Sequence, residues 1–153
     1  MIRTLLIVGL LATTGASEAS ARSIVGKWDC DGCDGKKLAI RMLLDYRQSG
    51  HFYHLDNVAV DDRRGRIDGA VALNGKWFCN HGKLSETVNQ ARVRSLKANG
   101  RDISKTPIGR HLTRSLPKQM VAGNRAQVTN VRFLSSNKIS LSSGRLTATF
   151  TKR

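Results

Sequence analysis

Residues 38–46 read Leu38-Ala39-Ile40-Arg41-Met42-Leu43-Leu44-Asp45-Tyr46, with large side chains recurring at 38, 40, 42, 44 and 46. A two-residue period marks a β-strand with one face turned to a core, because successive side chains leave the pleat on opposite sides. Gln48-Ser49-Gly50 supplies turn chemistry, and 51–60 reads as the strand that returns alongside the first. The same punctuation continues downstream. Asp61-Asp62-Arg63-Arg64-Gly65 is a polar turn and 67–73 a strand, and Asn74-Gly75 predicts a tight hairpin because both residues tolerate positive φ. Residues 77–79 and 84–96 extend the meander, although 85–98 also fits a helix capped by Ser85 and stopped at Asn99-Gly100. Segments 126–134, 137–142 and 145–152, parted by Ser-Ser-Asn and Ser-Ser-Gly, read as closing strands. Short strands at this spacing predict an all-β fold, a small antiparallel barrel or meander.

One helical insertion interrupts the pattern, at about 105–122. Thr106-Pro107 has the form of a cap followed by proline at the first helical position. Leu112 and Leu116 then fall on one face and Arg110, Arg114 and Lys118 on the other. Pro117 is expected to end or kink the helix, since its ring clashes with the preceding turn and it has no N–H.

The amino terminus has the features of an export signal. Arg3 is a positive start, residues 5–12 (LLIVGLLA) are a short apolar run, and Ala19-Ser20-Ala21 offers small residues for cleavage. Thr13, Thr14, Ser17 and Glu18 interrupt the run well short of the roughly 20 apolar residues a spanning helix needs. The expectation is a signal peptide at 1–21 and a single domain at 22–153, periplasmic or secreted. No later stretch is apolar enough to form a transmembrane segment, and surface association with a membrane stays open.

The chain has 153 residues, and Lys+Arg 26 against Asp+Glu 11 gives a net charge of +15. The excess is confined to the second part: 22–62 holds 6 basic and 7 acidic residues, whereas 63–153 holds 19 basic and 3 acidic. Between Thr87 and Arg125, Arg92, Arg94, Arg110, Arg114 and Lys118 belong to a basic run whose single acid is Asp102. Such a field attracts polyanions. These five residues are the candidate anion-binding set, and the partner classes are an anionic envelope component or an acidic protein. Nucleic acid is disfavoured, because the run from 87 to 125 has no aromatic ring on which a base would stack.

A pentapeptide of the form G-K-W-x-C occurs twice, at 26–30 and 75–79. On a strand, the Trp and Cys of each copy point the same way, so Trp28 and Trp77 are expected to close one core together with Cys30 and Cys79. The first copy resembles the G-x-W signature of the calycin superfamily, the lipocalin-like small barrels, a group that includes periplasmic metalloproteinase inhibitors. The resemblance implies a basic residue late in the last strand packing over the first Trp, here Lys152 or Arg153. It also implies a second functional reading, a carrier of a small apolar ligand held inside the barrel.

Three cysteines allow three readings. Cys30-Asp31-Gly32-Cys33 has redox spacing, but a redox thiol needs a helix amino terminus to lower its pKa and this motif follows a strand. Asp29, Asp31 and Asp34 crowd the same turn without the glycine and glutamate spacing of a calcium loop, and no second Cys or His pair completes a zinc site. A structural disulfide remains, with Cys30–Cys79 against Cys30–Cys33. Loop entropy favours the distant pair, about 4 against about 2 kcal/mol. The expectation is therefore Cys30–Cys79 with Cys33 free.

His51, His54, His81 and His111 form no i, i+4 pair, no G-x-S-x-G elbow occurs, and Asp61-Asp62 beside Arg63-Arg64 reads as solvated loop. No catalytic constellation, metal site or cofactor is implied. The leading expectation is an exported, non-enzymatic binding protein with a basic surface. The ligand carrier follows, and a periplasmic thiol-disulfide oxidoreductase comes third.

Overall fold

The alternation at 38–46 does form a strand. The computed structural model describes residues 24–31, 38–123 and 126–153. Its elements in chain order are β1 (Gly26–Asp31), β2 (Leu38–Tyr46), β3 (His51–Asp62), β4 (Gly65–Asn80), β5 (Lys83–Ala98), β6 (Arg101–Asp102), α1 (Pro107–Ala122), β7 (Gln127–Ser135), β8 (Lys138–Ser143) and β9 (Leu146–Lys152). Eight strands pair in a closed antiparallel ring in which each neighbours the next in sequence, β4 to β5 and β9 to β1 included. The two-residue β6 is a flap on β5. This is the small lipocalin-like barrel with one helical insertion that the turn spacing predicts. Residues 1–23, which include the expected signal peptide, lie outside the described residues.

The strands differ in height. β4 pairs with β5 from Ile67↔Ala98 to Asn80↔Lys83, while β7 pairs with β5 only from Lys83↔Asn130 to Glu86↔Gln127. β3, β4 and β5 therefore rise well above β7, β8 and β9.

One end of the barrel is filled. Trp28, Cys30, Leu44, Tyr46, Phe52, Cys79, Leu84, Ile139 and Phe150 form the buried core, with Ile24 closing the base. Trp28 is 0% exposed and donates from Nε1 to the Ile24 carbonyl at 2.8 Å. Lys152 Nζ stands 5.3 Å from the Trp28 ring centroid, as the resemblance implied, a cation–π contact of about 0.5–1 kcal/mol. Arg153 instead pairs with Asp29. Trp77 is half-buried against the same core and donates to the Arg47 carbonyl at 2.9 Å.

Four sequence expectations change or settle. Asn74-Gly75 is not a turn: β4 runs through it with a bulge, and the hairpin turns at His81-Gly82, both at positive φ. Glycine at 75 serves packing instead. A Cβ there would lie 2.7 Å from the Phe52 ring and against the Thr87 backbone. Residues 85–98 are strand, because β4 offers a ladder along their whole length. Pro117 does not end α1, which continues to Ala122 with Leu112, Leu116 and Val121 half-buried, so packing outweighs one lost backbone hydrogen bond. The cap is as expected: Thr106 Oγ1 accepts from the Gly109 N–H at 3.1 Å.

A third correction concerns the thiols. Cys79 is a free, buried thiol, and Cys30 is disulfide-bonded, so the Cys30–Cys79 bridge is absent. Both sulfurs do enter one core, but β2 and β3 separate β1 from β4 in the ring. Three strand spacings of about 4.8 Å, nearly halfway round, exceed the Cα separation below about 7 Å that a disulfide requires. Facing a shared core is a weaker condition than adjacency. Cys33 lies outside the described residues.

Candidate functional site

Two places bring chemistry together, one inside the barrel and one on its flank. Above the packed base the interior is hollow, a cavity of about 350 Å³. Its walls include Ile40, Met42, Leu73, Val88, Leu141 and Ala148. Leu146, 79% exposed, lies at the mouth. An eight-stranded barrel has room inside for side chains or for one small ligand. Here packed side chains fill one end and open space occupies the other.

Tyr46, His54, Asp56 and Glu86 reach the cavity from inward positions on β2, β3 and β5, and Gln127, Thr129, Ser143 and Thr147 line it from β7, β8 and β9. Register explains how: Leu44 pairs with His54, Met42 with Asp56 and Tyr46 with Phe52, so the inward phase of β2 sets that of β3. Glu86 occupies the inward row of β5 between Leu84 and Val88. Tyr46 Oη donates to Glu86 Oε1 at 2.7 Å. His54 Nε2 lies 3.2 Å from the same oxygen but makes no hydrogen bond of good geometry. The His54 ring is 8% exposed, 4.5 Å from the Phe52 centroid and edge-on to Tyr46 at 5.5 Å. Asp56 Oδ1 is buried with no hydrogen-bond partner.

The environment acts on their protons. Burial, then the neighbouring Glu86 charge, holds the Tyr46 phenol well above its ordinary value, so it stays a donor. Burial also raises Asp56, with Glu86 adding to the rise and His54 opposing it. A carboxylate taken out of water without a partner is costly. Among the described residues no group of three or more His, Cys, Asp or Glu is arranged to hold a metal ion.

The second place is a groove of about 720 Å³ between the C-terminal half of α1 and the outer faces of β4 and β5. Ala72, Ala91, Pro117, Val121 and Ala122 give it an apolar lining. Arg92, Arg94 and Lys118 line it as well, all exposed. Of the five candidate anion-binding residues, the structure thus gathers three. Arg110 and Arg114 are exposed on α1 but do not line the groove, and Arg110 Nη1 donates to the Lys105 carbonyl at 2.7 Å near the start of the helix.

Sequence reasoning did not single out Tyr46, His54, Asp56 and Glu86 as a site. The signal was nonetheless present, since His54 and Asp56 share the phase of Phe52 on a strand whose register with β2 follows from the short turn at 48–50. Cys30, 2% exposed on β1, is not placed as a redox thiol at a helix terminus would be. No helix among the described residues is long and apolar enough to cross a membrane. No protein-family model matches the chain, and no curated protein matches it in sequence.

Proposed function

We propose that this is an exported, non-enzymatic binding protein whose flank groove engages a phosphate-bearing lipid of the cell envelope. The observation that carries the reading is the convergence of Arg92, Arg94 and Lys118 beside an apolar lining. Cations that are far apart in sequence meet at one surface, and the apolar strip beside them suits the hydrocarbon next to a headgroup. The net charge of +15 strengthens the attraction at a distance.

The test is co-sedimentation with phosphatidylglycerol vesicles against phosphatidylcholine vesicles at low salt. Each Lys or Arg near an anionic surface contributes about 1 kcal/mol, so changing Arg92, Arg94 and Lys118 to Gln is expected to weaken binding about 100-fold. The double variant Arg110→Gln, Arg114→Gln is expected to lose less. Equal losses from the two variants would reduce the groove to ordinary charged surface.

A second reading, a carrier of a small ligand inside the barrel, is favoured by one specific observation: the interior is half hollow, with 350 Å³ of space above the packed base. That volume lies at the lower end of small-molecule sites.

A further inference from the structure

We propose that the barrel interior binds a small amine, a ligand with one ammonium head and a short apolar body, which it orients through Asp56 and Glu86. The proposal rests on the carrier reading and adds the chemical class of the ligand.

The interior is unlike the rest of the molecule in charge. Among 153 residues there are 11 acids, and the stretch from Arg63 onward contains only 3, one of which is Glu86. The barrel directs Glu86 and Asp56 into the same cavity as His54, whose ring packs against Tyr46 and Phe52. Glu86 Oε1 already accepts from Tyr46, whereas Asp56 Oδ1 is buried and accepts from nothing. His54 Nε2 is likewise buried without a hydrogen-bond partner, although Glu86 is near. Buried polar atoms are nearly always satisfied, so a buried acceptor facing the cavity suits a ligand that brings a donor. An ammonium brings three donors and the opposite charge. The carboxylate supplies a charge-assisted hydrogen bond, about twice as strong as a neutral one.

The walls fix the remainder of the ligand. Ile40, Met42, Val88, Leu141 and Ala148 make much of the wall hydrocarbon or thioether, and Gln127, Thr129, Ser143 and Thr147 add only uncharged polar groups. A ligand charged along its length would leave that surface unmatched. The net charge of +15 does not exclude a cation, because surface charge is screened over about 8 Å at physiological salt while the buried carboxylates are screened much less.

The test is calorimetric titration of the full chain with hexylamine, hexan-1-ol and hexanoate at neutral pH, repeated on Asp56→Asn. Hexylamine is expected to bind at least ten-fold tighter than the alcohol, hexanoate weakest, and Asp56→Asn to bring the amine down to the level of the alcohol. Circular dichroism of the variant checks that its barrel is intact, and Glu86→Gln provides a second variant in which the amine should also weaken. Equal affinities for amine and alcohol would overturn the amine proposal and leave the carrier reading standing. Failure of all three probes to bind would overturn both. Amine binding unchanged in Asp56→Asn and Glu86→Gln would place the ligand elsewhere and overturn the proposal.

Discussion

Replacing Asp56 by Asn is expected to make the ligand-free protein more stable at neutral pH. The substitution keeps the shape and removes the charge. Asp56 Oδ1 is buried without a partner, so the native state bears a desolvation cost that the unfolded chain, with its carboxylate in water, avoids. Leaving such a group unsatisfied costs about 1–3 kcal/mol, and attraction to His54 offsets part of it, which leaves a net gain of about 1 kcal/mol for the variant. For a chain of this size that raises Tm by about 2–4 °C. The pH dependence has a definite sign. Burial raises the folded pKa of Asp56 above that of an ordinary carboxylate, so the native state holds this proton more readily than the unfolded state. The favourable contribution is complete below the unfolded pKa and is lost as pH rises through the folded one. The stability difference between variant and wild type should therefore be near zero in acid, where both side chains are neutral, and grow as pH climbs. Thermal melts of both proteins between pH 3 and pH 7, without ligand, supply the comparison. A variant less stable than wild type at pH 7 would refute the reasoning, because it would mean that the carboxylate already has a stabilising partner in the empty barrel.

Gly75→Ala should destabilise by more than the roughly 1–3 kcal/mol of ordinary overpacking, since the new Cβ meets the Phe52 ring and the Thr87 backbone together; an unchanged urea midpoint would contradict the packing role. Lys152→Met should cost about 0.5–1 kcal/mol and alter the emission of Trp28, with fluorescence-monitored unfolding as the measurement. Cys79 should resist alkylation in the native state, because it is buried and burial pushes its thiol upward, and should react once the chain is unfolded in denaturant without reductant. Mass spectrometry of native and unfolded samples reads the difference.

The fold was legible where one face of a strand is buried and the other wet. At 38–46 alternation alone determined both element and inward face, and β3 inherited its phase across a short turn. Asn74-Gly75 misled because local turn chemistry does not register the Phe52 ring that sits where a side chain at 75 would go. The true turn, His81-Gly82, carries a weaker local signal. Residues 85–98 were ambiguous because β5 changes phase at its bulges, which breaks a simple two-residue period. The flank groove was half legible: composition marked its cations, but only the packing of α1 on β5 decided that Lys118 joins Arg92 and Arg94 and that Arg110 and Arg114 do not. The interior cluster depends on barrel closure, since Glu86 meets Tyr46 across 40 positions of sequence.

The uneven strand heights leave an open seam. Above Glu86 and below Lys97, β5 has no strand on its β7 side among the described residues, so its backbone there is a sheet edge, and α1 is the element packed on β5. Arg92 and Arg94 stand on that stretch, and charge on an exposed edge is one of the means by which proteins prevent such pairing. Their placement is the one such a safeguard requires. Exchanging both for Gln is expected to let copies add strand to strand along β5, which sedimentation of the variant without vesicles would show as larger species and which that control separates from vesicle binding.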